Sequence, residues 1–156
     1  MGVEIERKFL VTSDAWRALG SAVRIRQGYL CIDAERTVRV RTIDDRARLT
    51  VKGRPAAGQL ARTEYEYDVP VADANEMLDT LCLRPLLDKT RTTIQAGILH
   101  WEVDEFFGDN AGLIVAEVEL AHAEQAIVLP AWIGAEVTHD ARYLNANLIT
   151  HPYARW

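Results

Sequence analysis

The segment Val3-Glu4-Ile5-Glu6-Arg7-Lys8-Phe9-Leu10 alternates, with Glu4, Glu6 and Lys8 on one face and Val3, Ile5 and Phe9 on the other. Side chains on a strand repeat every two residues, so this spacing predicts a β-strand that lines up two carboxylates and an ammonium. The pattern recurs along the chain. Arg39 and Arg41 stand opposite Val38 and Val40, Lys52 opposite Val51, and Glu64 and Glu66 alternate with Tyr65 and Tyr67. Lys89 with Arg91, Glu102 with Asp104, and Glu117 with Glu119 repeat the same charged-x-charged unit.

Working outward, strands are expected over 23–32, 37–43, 47–52, 62–69, 89–94, 99–104 and 113–120, separated by turns rich in Gly, Pro and Asp. Ser13 to Gly20 reads as a short helix with Ser13 as N-cap, Gly20 as stop, and Trp16 and Leu19 packing it down. Asp73 and Glu76 form a capping-box-like start for a helix over 74–83, with Met77, Leu78 and Leu81 on one face. A further short helix is expected around Ala123 to Ile127, then a loop containing Pro130, then a last helix within 138–148 capped by Thr138 or Asp140. The fold class is α+β, dominated by an antiparallel sheet of eight or so strands.

The 156 residues suit one domain over 1–156, and 49% hydrophobic with 26% charged residues supports a buried core. A net charge of −5, from 23 acids and 18 bases, argues against wholesale nucleic-acid binding. No signal-peptide pattern and no apolar run near the roughly 20 residues of a membrane span are present, so no membrane partner and a cytoplasmic location are expected. Cys31 and Cys82 lack metal or disulfide spacing and read as packing thiols. Exposed apolar residues on an outer face could support a homodimer.

The polar faces of these strands collect eight acids and six bases: Glu4, Glu6, Glu64, Glu66, Glu102, Asp104, Glu117 and Glu119 against Lys8, Arg39, Arg41, Lys52, Lys89 and Arg91. On a water-facing sheet, Thr, Ser, Gln and Asn would be mixed among the charges. An antiparallel sheet of about eight strands can close on itself, which turns the charged face into a tunnel lining and leaves the apolar face for helices outside. Such a lining must be solvated or filled. Clustered carboxylates suit Mg²⁺ or Mn²⁺, and the Arg/Lys set suits a phosphate chain, so the contents predicted are a metal and a polyphosphate. There is no Ser-His-Asp constellation and no GxxxxGK[ST] loop, and His100 reads as a lining residue.

Glu4-x-Glu6-x-Lys8 resembles the ExExK signature of the CYTH domain, the triphosphate tunnel metalloenzyme superfamily. The resemblance runs from about residue 3 to 150, through Gln27-Gly28-Tyr29-Leu30, Arg39-x-Arg41, Lys52, Glu64-x-Glu66, Lys89-x-Arg91, Asp104, Glu117-x-Glu119, Glu136-Val137-Thr138, Arg142-Tyr143 and Asn145. It implies an eight-stranded closed antiparallel β-barrel with short helices outside. Lys8, Arg39, Arg41, Lys52 and Arg91 would hold phosphate oxygens, Lys89 would contact the leaving group or gate, and Tyr29 would join the wall. Glu4, Glu6, Asp104, Glu117 and Glu119 would hold Mg²⁺ or Mn²⁺, and Glu64 and Glu66 match a further acidic pair. The implied reaction is hydrolysis of tripolyphosphate to pyrophosphate and phosphate by a metal-activated water. Class IV adenylate cyclase, thiamine or nucleoside triphosphatase and a non-catalytic polyphosphate-binding module are the alternatives. The cyclase-like His-Phe pair is absent, with Gln27-Gly28-Tyr29 in its place.

Overall fold

A computed structural model describes residues 2–156. Its strands are β1 (Gly2–Val11), β2 (Ala22–Ile32), β3 (Arg36–Ile43), β4 (Arg46–Gly53), β5 (Ala61–Asp68), β6 (Leu87–Ala96), β7 (Leu99–Phe106), β8 (Ile114–Glu119) and β9 (Ile133–Glu136), with helices α1 (Val71–Thr80) and α2 (Asn145–Thr150). Hydrogen bonding runs β5-β4-β3-β2-β6-β7-β8-β1, and β1 returns to β5 through the register Gly2↔Glu64 and Glu4↔Arg62. Eight antiparallel strands therefore close into a barrel. The first half of β1 pairs with β5, while β9 covers its later part at Phe9↔Glu136 and Val11↔Ile133. Closing a tilted sheet staggers the strands, and β9 fills the edge that the stagger leaves open.

Alternation sorts the side chains as the sequence predicts. Outward, Phe9, Trp101, Val103, Ala116 and Val118 form an apolar cluster with Trp16, Trp132 and Ile133, covered by the turn of 3₁₀-helix Ala15–Leu19 and the chain around β9. Phe9 and Trp132 each meet the Trp101 ring edge-on, at 5.6 and 5.8 Å. A second outer cluster joins Val40 and Ala47 to Ala74 and Leu78 of α1. Gly28 lies beneath the segment following α1. A Cβ there would come within 2.7 Å of Leu86 and 2.8 Å of the Cys82 Cβ, so only glycine admits this approach.

Inward, the barrel has two levels. At one end Tyr29, Leu87, Phe106 and Val115 pack with Leu148 and Ile149 of α2, which plugs that end. Toward the other end the lining is charged.

Several local expectations are corrected. The chain around Ala123–Ile127 forms turns and irregular structure in place of a helix, and the loop after Pro130 continues into β9. Helix α1 starts at Val71, behind Pro70, whose fixed φ of −57° suits a helix entry; no side chain caps it, and Leu81 ends it 64% exposed. The first short helix is 3₁₀ with Asp14 at its N-cap, and Leu19 is exposed while Trp16 is buried. Asp140 does cap the 3₁₀ turn Ala141–Tyr143, accepting from the Arg142 N–H.

β9 is clamped to β1 by a bidentate pair in which Arg7 Nε and Nη2 donate to Glu136 at 2.8 and 2.7 Å. These hydrogen bonds, opposed by slight burial, hold the Glu136 carboxyl at about 2, below its usual 4.5. A carboxylate with a depressed folded pKa stabilises fully above its unfolded pKa and ceases to do so as pH falls through the folded one. Glu136→Gln should therefore lower stability at pH 7 by less than about 1 kcal/mol, the pair being partly exposed. In urea titrations the gap from wild type should be constant down to about pH 4.5 and shrink below it; a gap that widens on acidification would contradict this assignment.

Candidate active site

The charged level encloses a cavity of about 560 Å³. Every strand of the closed barrel contributes to its wall, with Leu144, Asn145 and Ala146 from the α2 region. Among the described residues seven basic and seven acidic side chains line it, so the formal charges of these side chains cancel.

The register explains the mixture. Glu6 lies opposite Glu119 and Lys8 opposite Glu117 across β1 and β8. Lys52 faces Glu64, and Thr50 faces Glu66, across β4 and β5. Tyr29 lies opposite Arg39 across β2 and β3. Lys8 Nζ, almost wholly buried, lies 2.6 Å from Glu117 and 3.3 Å from Glu6. Burial alone would depress this ammonium, but Glu117 and Glu6 outweigh it and raise its pKa, so Lys8 stays charged. Lys52 Nζ donates to both Glu4 oxygens at 2.9 and 2.7 Å and lies 3.5 Å from Glu64. Burial would raise the Glu4 carboxyl, yet Lys52 and Arg62 overcome it and hold Glu4 at about 2.

A second node centres on Glu66, which accepts from Arg48 at 2.5 Å, Thr50 at 3.0 Å and Arg41 at 3.1 Å, with Arg39 at 3.8 Å. Arg39 and Arg41 each retain a buried Nε–H without a partner. Burial, reinforced by Arg39, lowers Arg41 to about 10. Such closely set guanidiniums with free donors suit a polyanion. The acidic side has a matching excess. Burial raises the Glu119 carboxyl, and Glu4, Glu102 and Glu6 raise it further. Burial likewise raises Glu64, and the neighbouring Glu4 carboxylate raises it further against the pull of Lys52.

Tyr29 reaches the cavity from the apolar floor, buried and with its hydroxyl pKa raised by that burial. His100 lines the cavity, as expected. Arg48 and Arg62 line it too, although the charged-x-charged pattern had not singled them out. Their signal was parity alone, since Arg48 shares a face with Lys52 and Arg62 with Glu64.

Asp104 and Lys89 are placed differently from expectation. Both are buried beneath the cavity floor, Lys89 Nζ lying 2.5 Å from Asp104 and 5.4 Å from the Phe106 ring. Arg91 holds Asp104 through Nε at 2.6 Å and Nη2 at 2.7 Å, while also engaging Glu102 and Glu117. Both Asp104 oxygens accept from cations, so the geometry makes it the anchor of Arg91 and Lys89. Burial lowers Lys89 to about 8, offset only in part by Asp104.

Among the described residues no group of three or more His, Cys, Asp or Glu side chains is preassembled for a metal. The donor chemistry nevertheless fits a hard divalent cation: Glu4, Glu6, Glu64, Glu117 and Glu119 offer only oxygens, and the acidic neighbours that raise Glu119 mark where positive charge is lacking.

The CYTH domain family model matches residues 2–153. A protein of Acetivibrio thermocellus named inorganic triphosphatase is 48% identical over 153 residues, covering 98% of this chain and 97% of the relative. A second inorganic triphosphatase, from Nitrosomonas europaea, is 38% identical over 150 residues, covering 93% and 95%. A crystal structure of an inorganic triphosphatase matches with a TM-score of 0.66 at 34% identity, covering 94% of this chain and 97% of that one.

Removing Asp104 leaves Lys89 buried without its acceptor and Arg91 with Glu102 and Glu117 alone. Asp104→Asn should cost roughly 3–5 kcal/mol in urea unfolding. In Lys89→Met the same change should cost distinctly less, because one stranded charge is gone; additive losses would show that the pair does not couple.

Proposed function

The chain belongs to the CYTH domain family, and from that premise we propose that its cavity hydrolyses inorganic triphosphate to pyrophosphate and phosphate with a divalent metal, Mg²⁺ or Mn²⁺. The observation that carries this reading is a cavity whose wall interleaves seven bases with seven acids. Among the described residues, Tyr29 and His100 apart, its wall has no ring on which a nucleobase or thiazole could stack.

In the proposed assignment Lys8, Arg39, Arg41, Lys52 and Arg91 hold phosphate oxygens, and Arg48 extends that set at the Glu66 node. Glu4, Glu6, Glu64, Glu117 and Glu119 are the metal-holding carboxylates. A divalent ion held there supplies positive charge to the phosphate oxygens and acidifies a water. Cleavage then needs an in-line attack on a terminal phosphorus, rupture of its bridging P–O bond and stabilisation of the pyrophosphate that leaves. The protein's share is positioning and charge. Lys8, kept protonated by Glu117 and Glu6, serves as a fixed cation and hydrogen-bond donor, with no role as a base. Arg39 and Arg41 present donors to the oxygens on which charge accumulates, and Glu66 fixes their planes. Asp104 holds Arg91 from below and Glu102 from the side, so Arg91 keeps its heading.

Phosphate release from tripolyphosphate, ATP and thiamine triphosphate should be compared with Mg²⁺, with Mn²⁺ and with chelator. Metal-dependent release greatest for tripolyphosphate is expected. Silence on all three, with tripolyphosphate still raising the melting temperature, would instead identify a binding module. Arg39→Ala and Lys52→Ala should each lower turnover on the order of 10²–10³-fold, as for loss of a donor to developing charge. Unchanged turnover in both would remove this cavity as the site.

A further inference from the structure

Arg62 occupies a particular position in the wall. It lies directly opposite Glu4 in the β1–β5 pair, donating through Nε to Glu4 at 2.9 Å and through Nη2 to Glu6 at 3.1 Å. Its side chain is only 18% exposed, and its two acceptors 17% each, so the contact is well shielded. One guanidinium thus spans two of the carboxylates assigned above to the metal.

We propose that Arg62 is an exchangeable internal counter-ion: it neutralises Glu4 and Glu6 while the metal is absent, and a divalent cation displaces it so that it turns to the phosphate chain. The inference rests on the triphosphatase reading and adds a mechanism of coupling to it. Two features carry it. A guanidinium held on Glu4 and Glu6 repels a divalent cation brought to those same two carboxylates. The lining is electrically balanced, so a bare polyanion would leave negative charge uncompensated in a partly desolvated space, and so would a bare metal with the opposite sign. Arriving together, the cation offsets part of the phosphate charge, and each makes room for the other. Lys52, on Glu4 and Glu64, is set for the same exchange. Metal and phosphate affinity are then reciprocally linked through Arg62.

The test uses calorimetry on the full chain, with Mn²⁺ and with a tripolyphosphate analogue carrying NH in place of both bridging oxygens, which resists hydrolysis. In Arg62→Gln, Mn²⁺ should bind the phosphate-free protein at least about fivefold more tightly, the equivalent of one weak ion pair no longer competing. Arg48→Gln removes the same charge from the cavity without touching Glu4 or Glu6 and should change Mn²⁺ affinity roughly twofold or less. The factor by which Mn²⁺ strengthens analogue binding should fall in Arg62→Gln by about fivefold or more, the lower range of site-to-site coupling. Arg62→Lys, which keeps the charge but cannot fork across two carboxylates, should shift both quantities in the same direction by less. Equal Mn²⁺ shifts in Arg62→Gln and Arg48→Gln, or an unchanged coupling factor, would overturn the exchange while leaving wild-type phosphate release intact. A wild type that neither binds Mn²⁺ nor releases phosphate would overturn the triphosphatase reading along with it.

Discussion

Strand β1 must be hydrogen-bonded along both edges, and the rest of the structure follows from that requirement. One edge runs along β8, and the other is divided between β5 and β9. Leaving either edge open would expose a row of peptide groups and turn the barrel into a sheet with one charged face and one apolar face. Once it is closed, the period of two decides everything inside. A slip of one residue would send Phe9 inward and Lys8 into the outer apolar layer. The Trp101 cluster outside and the Lys8–Glu117 contact inside therefore select the same register from opposite faces of the wall.

Charges at such density are tolerated because almost every one has an opposite neighbour a strand away. Lys8 bridges Glu6 and Glu117, Lys52 bridges Glu4 and Glu64, and Glu66 gathers arginines from two strands. Buried pairs of this kind add little net stability over an apolar packing of the same volume. Their presence in a barrel that already has apolar layers outside and at its plugged end points to a role in binding. The carboxylates that remain poorly compensated, Glu119 above all, sit where the acidic neighbours converge.

Much of this could be read from the residues. Charged-x-charged spacing identified the strands and which face of each turns inward, and the closed barrel explains why that face carries so few neutral polar groups. Parity, however, reports the face of a strand and nothing about depth. Asp104 shares its face with Glu102, yet Asp104 is buried among Lys89 and Arg91 while Glu102 lines the cavity. Arg48 and Arg62 escaped notice because they stand at strand starts, beside turn residues, where the alternation is easily read as ending. β9 was hidden by its length of four residues and by Pro130, whose breaking effect falls just before it. The helix expected at Ala123–Ile127 failed because helical propensity in so short a segment yields to packing: Ile127 lies against the outer cluster from an irregular chain.

The apolar plug also sets the dielectric beneath the chamber. Leu148 and Ile149, seated among Tyr29, Leu87, Phe106 and Val115, fill that end of the barrel with hydrocarbon. Charges resting on such a floor are screened less than charges in open water, so the Lys8–Glu117 and Arg91–Asp104 pairs act on what surrounds them more strongly than the same pairs would on a surface.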